Sequence, residues 1–66
     1  MDIVEAKEEL EKKLIDKEGI IGVGANADRG FIVVYVENKS DCMEVPEEFE
    51  GYRVECVPVG KTEFGG

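Results

Sequence analysis

Apolar residues recur along this chain with two different periods, and the change of period marks its elements. The first four fall at Ile3, Ala6, Leu10 and Leu14, in steps of three and four with acids and lysines between them, the spacing of one helical face. Asp2-Ile-Val-Glu5 has the form of a capping box, in which the Asp2 carboxylate accepts from the Glu5 amide and the Glu5 side chain reaches back. Glu8 and Lys12, like Glu9 and Lys13, stand one turn apart, and Gly19 is placed to close the C-terminus. The pattern predicts one amphipathic helix over residues 3–17, whose narrow apolar stripe needs a sheet to cover.

After Gly19 the period becomes two. GIIGVGANADRGFIVVYVE contains two runs of β-branched and aromatic residues split by Asn26-Ala-Asp-Arg-Gly30, a hairpin signal. With a turn over Ala27 to Gly30 and a positive φ at Gly30, Ala25 faces Ile32, Val23 faces Val34 and Ile21 faces Val36. Those six residues make the bed for the helix. The other face carries Phe31, Val33 and Tyr35 against Gly24, Gly22 and Ile20, so that aromatic rings can lie over bare glycine backbone.

Asn38 to Gly51 reads as a polar, acidic connector, with Pro46 suited to open a short helical turn through Phe49. Alternation returns at Tyr52 to Val57, placing Tyr52, Val54 and Cys56 on one side and Arg53, Glu55 and Val57 on the other. Pro58 then removes a ladder donor and makes this third strand an edge. The fold class is α+β: a two-layer domain spanning residues 1–66, one N-terminal amphipathic helix on three antiparallel or mixed strands. Its element order is helix, strand, strand, short helix, strand, with residues 61–66 as a flexible tail.

From Gly19 to Gly60 the segments GIIGVG, VYVE, VPEEFEGYRV and VPVG resemble a small microbial module of the pattern GVxGVG, VYVE, PxxxxGYxV. Such modules occur as short standalone proteins and ahead of some trypsin-like protease domains. The resemblance covers about two-thirds of the chain, and its motifs are structural: glycines, alternating valines and a turn. It implies no catalytic residue. The company of protease domains suggests, at most, a protease-associated chaperone or inhibitor segment.

Composition narrows the chemistry. Eight Lys plus Arg stand against sixteen Asp plus Glu, a net charge of -8. Such a surface repels phosphate backbones and anionic lipid, and no basic cluster flanks an aromatic platform, so no nucleic-acid and no membrane partner is expected. No apolar run approaches the roughly 18 residues of a membrane span, and the N-terminus is acidic, so a cytoplasmic location is the expectation. Abundant Glu, Lys, Val and Gly, with no Gln or Trp, is a balance of heat-adapted proteins.

Gly22-Val-Gly24-Ala-Asn-Ala27 fits a GxGxxA dinucleotide pattern, but Asp28-Arg29-Gly30 leads into a strand where that motif must open a helix. The absence of His removes the Ser-His and Cys-His arrangements, and Ser40 and Thr62 sit in loops without partner motifs. The carboxylates Glu44, Glu47, Glu48 and Glu50 read as solvated charge, and Asp41, Glu44, Glu47 and Glu48 lack the alternation of a calcium loop. Asn38-Lys-Ser40 matches a glycosylation sequon without a secretion signal. A non-catalytic chain without cofactor or metal is expected. Cys42 and Cys56 are too few and too far apart for a zinc site. Cys56 reads most simply as a small core residue; a Cys42–Cys56 disulfide forms if the connector folds back. That bond stabilises by about 3 kcal/mol on loop entropy, although an ordinary cytosol disfavours it.

Two functions from different classes remain. The first is a protein-interaction module, acting on a protein partner or on itself as a homodimer, through Ile20, Phe31, Val33, Tyr35 and Val57 on the sheet face away from the helix. A strand edge serves the same end if the third strand pairs beside the first, exposing FIVVYV. The second is a ubiquitin-like modifier or sulfur carrier. VECVPVGKTEFGG resembles the endings of such proteins, which implies that Gly65 and Gly66 form a threading tail activated at the Gly66 carboxylate. The β-grasp fold of that family starts with a hairpin, whereas this chain starts with a helix.

Overall fold

The computed structural model describes residues 1–59. Helix α1 spans Ile3–Leu14 and is followed by strands β1 (Ile20–Asn26) and β2 (Phe31–Val36), a 3-10 helix (Lys39–Glu44), β3 (Glu48–Phe49) and β4 (Tyr52–Pro58). The strands form one mixed sheet in the order β1-β2-β4-β3. The fold is thus α+β with an N-terminal helix, and the sheet has four strands where the sequence pattern predicts three.

Helix α1 starts as its cap dictates: the Glu5 amide donates to Asp2 Oδ1 at 2.9 Å. It ends one turn earlier than residue 17. Lys17 N donates to Leu14 O at 2.9 Å, the tightened final turn that satisfies a terminal carbonyl. Gly19 then takes φ 91°, reversing the chain into β1. The ion pair on the helix is Lys7–Glu11 at 3.3 Å, on a different diagonal from the predicted pairs. Ala6, Leu10 and Leu14 are buried, so the stripe read from the sequence is the stripe that packs.

The β1–β2 hairpin turns at Ala27 to Gly30 as expected. Gly30 has φ 77° and its amide donates to Asn26 O at 2.7 Å, while the Arg29 amide donates to Asn26 Oδ1 at 3.0 Å. Val23 faces Val34 and Ala25 faces Ile32, but Ile20, not Ile21, faces Val36. A β-bulge between Ile20 and Gly22 causes the shift. The extra residue breaks strict alternation, so Ile20 and Val23 both pack on the core and Ile21 is left 53% exposed.

β2 is the spine of the domain. It pairs antiparallel with β1 and parallel with β4, Phe31 against Arg53 through Val36 against Pro58, and its Ile32, Val34 and Val36 have no exposed surface. The parallel pairing requires a crossover, which residues 37–51 provide. Its helical piece lies at Lys39–Glu44, earlier than the Pro46–Phe49 turn predicted. The Asp41 carboxylate fixes the start by accepting from the Asn38 amide at 3.0 Å. Phe49 instead enters β3 opposite Tyr52, joined by Glu50 at φ 53° and Gly51 at φ 83°. Two successive positive φ values are the signature of a type I′ hairpin turn.

The crossover folds to the helix side. Cys42, Val45 and Phe49 pack against the core together with Tyr52 and Cys56, and Cys42 is bonded to Cys56 with their Cα atoms 5.8 Å apart. Lys17 also reaches Glu44 at 3.5 Å, and the Tyr52 hydroxyl donates to Met1 O at 2.9 Å. One face of the sheet is therefore covered twice over, by α1 above β1 and β2 and by the crossover above β4.

Candidate functional site

The reverse face of the sheet follows from register. Gly22 stands beside Tyr35, which stands beside Val57; Gly24 beside Val33 and then Glu55; Asn26 beside Phe31 and then Arg53. These rows collect four of the five residues the sequence singles out: Phe31, Val33, Tyr35 and Val57. Ile20 does not join them, because the bulge turns it into the core. Ile21, missed because strict alternation assigns it to the core, takes the exposed position instead.

The face has two ends of different character. At the hairpin tip, Arg53 and Glu55 form an ion pair at 2.6 Å next to the half-buried Phe31 and Val33. The two charges pair with one another beside Phe31 and Val33. At the other end Tyr35 is 40% exposed and Val57 36%, with no charge beside them in register. The Tyr35 ring leans toward β1, its Cε2 3.8 Å from where a Cβ on Gly24 would stand, while the Gly22 backbone has open space above it. A shallow depression between Tyr35, Val33, Gly24 and Asp28 results.

The edges also differ. β2 is interior, so FIVVYV presents no edge; the free edge is β1, which among the described residues pairs on one side only. Beyond the two-residue β3, which pairs with Tyr52 and Arg53, β4 has no strand on its outer side among the described residues. The Val54 amide still donates to Glu47 O at 2.9 Å.

The remaining candidate groups have structural roles or lie elsewhere. Asp41 caps the 3-10 helix and Glu44 pairs with Lys17; among the described residues no three His, Cys, Asp or Glu side chains converge to hold a metal. Gly22 and Gly24 are strand residues, and no helix follows them to receive a pyrophosphate. Ser40 is exposed on the 3-10 helix. Thr62, Gly65, Gly66 and the predicted tail of residues 61–66 lie outside the described residues. No helix among the described residues is long and apolar enough to cross a membrane. Compared with family models, curated proteins and solved structures, the chain finds no match.

Proposed function

We propose that this protein is a non-catalytic interaction module that associates with a second copy of itself through the reverse face of its sheet. The observation carrying this reading is the one-sided cover: helix and crossover share one face, leaving Tyr35 and Val57 exposed on the other. In a chain of which 36% is charged, an uncharged apolar strip over two adjacent strands favours association over solvation. The sixteen acids argue against nucleic acid or anionic lipid as the partner. No cofactor enters this reading. A cytoplasmic location accords with it, and a bonded Cys42–Cys56 pair there accords with the heat-adapted composition, since intracellular disulfides persist in hyperthermophiles.

Sedimentation at micromolar concentration tests the reading, comparing the wild type with Tyr35→Lys. We expect a reversible dimer that the substitution weakens at least about tenfold, the equivalent of about 1.4 kcal/mol. A monomeric wild type whose stability Tyr35→Lys leaves unchanged overturns it.

A further inference from the structure

We infer that the Cys42–Cys56 bond is a redox latch: a dithiol opens it in the folded protein, and residues 38–47 then lift as a strap from the inner face of β4 while the rest of the domain stays folded. The latch lies on the helix side of the sheet, so it is independent of the dimer proposed above.

Thiols have a route to the bond. Both cysteines are only half-buried, and together they line a depression with Met43, Val45, Pro46 and Val54, where Met43 is 88% exposed. Access of that kind distinguishes an exchangeable disulfide from a sealed one.

Little else holds the strap. The 3-10 helix Lys39–Glu44 buries no residue, and its hydrogen bonds, from the Asn38 amide to Asp41 and from the Val45 amide to Cys42 O at 3.0 Å, close within the strap itself. Outward it has the Lys17–Glu44 ion pair at 3.5 Å, both of whose side chains are exposed, and Asp41 set beside the Gly19 backbone. An exposed pair holds weakly. Residues 38–47 send only Cys42 and Val45 against the core, and of these Cys42 is held by the bond in question.

The strap also has defined ends. The Glu37 amide donates to Gly19 O at 2.8 Å and the Val54 amide to Glu47 O at 2.9 Å; beyond these points β2 and β3 both pair with β4. The fully buried Ala6, Leu10, Ile32, Val34 and Val36 belong to α1 and β2. A stretch bounded by anchored backbone and absent from that set is the kind of unit that opens locally. Its opening uncovers Val54 and Cys56 on the inner face of β4.

The exchange balances without a further reactant. One thiolate of the dithiol attacks a sulfur of the bond and expels the other as a thiolate; the second thiol of the reductant then displaces the first. Cys42 and Cys56 end as thiols, having gained two electrons and two protons, and the reductant ends as an internal disulfide.

Dithiothreitol without denaturant, followed by limited digestion with a glutamate-specific protease, tests the latch. The extent of reduction is read by alkylation and intact mass, and the fragments by mass after full reduction. Glu44 and Glu47 report on the strap, while Glu8, Glu9 and Glu11 on α1 report on the fold. We expect complete reduction, cutting at Glu44 and Glu47 at least about tenfold faster than in the oxidised protein, and no acceleration on α1. Oxidised glutathione should restore slow cutting. The Cys42→Ser, Cys56→Ser double variant should be cut like the reduced protein whether or not dithiothreitol is present; if it does not fold, the wild-type comparison decides alone. A bond that yields only in denaturant overturns the latch, because thiols then have no route to it. Faster cutting on α1 as well overturns it in favour of a staple for the whole fold. Unchanged cutting at Glu44 and Glu47 after reduction overturns it through a strap that Val45 already pins.

Discussion

Gly19 and Glu50 are the two positions where backbone conformation and residue type are most sharply at issue. Gly19 sits at φ 91°, and a Cβ there would lie 2.5 Å from Asp41 Oδ2, so Gly19→Ala meets both a left-handed backbone and the carboxylate that caps the 3-10 helix. We expect a loss of about 2 kcal/mol or more in urea unfolding. Glu50 is a non-glycine residue at φ 53°, which costs an ordinary side chain roughly 1 kcal/mol. Asn tolerates that region, and Asn-Gly is the preferred type I′ pair, so Glu50→Asn should raise stability by about 0.5–1 kcal/mol in the same assay. These two residues also show what the sequence could convey. The sequence marks Gly19 as the close of the helix, but α1 ends at Leu14 with Ile15 as its cap; Gly19 reverses the chain into β1 instead, and its closeness to Asp41 depends on a crossover path no local pattern encodes. The turn at Glu50-Gly51 was hidden because Glu is not the residue that conformation selects. Ile20 and Ile21 escape the pattern because the bulge between Ile20 and Gly22 breaks the alternation that Val23 and Ala25 keep with β2, and nothing in Ile-Ile-Gly-Val marks the place of the extra residue.

Among the elements, those with several turns or several alternations were legible, and those with only one were not. α1 announced its buried face through Ala6, Leu10 and Leu14, and β4 its inner face through Tyr52, Val54 and Cys56. β3 has two residues, too few to carry a period, and the 3-10 helix owes its position to the Asn38–Asp41 hydrogen bond. What holds that crossover is the bond between Cys42 and Cys56, 14 positions apart. Constraining the unfolded chain over such a loop stabilises by about 3 kcal/mol. Reduction should therefore lower the free energy of unfolding by about that amount in denaturant titrations. The Cys42→Ser, Cys56→Ser double variant should match the reduced wild type to within about 1 kcal/mol, and a smaller difference between oxidised and reduced protein would mean that Val45 and Phe49 already pin the crossover.

At the scale of the whole molecule, a 66-residue chain buries only about 60% of its unfolded surface, and here nearly all of that burial is on one side of the sheet. The fully buried set of Ala6, Leu10, Ile32, Val34 and Val36 joins one helix to one strand. The proposed association would add to the stability of such a domain, and it has a thermodynamic signature: the thermal midpoint of the wild type should rise with protein concentration. That of Tyr35→Lys should not. The parallel seam between β2 and β4 has a consequence in time. Both hairpins can zip up from neighbouring residues within about 10 μs, but β4 can find β2 only after the intervening chain has been laid across the core. Non-local pairing of that kind sets the pace, so the step that completes Val34 and Val36 is the slow one. Until then those valines stand open to any other strand in the solution.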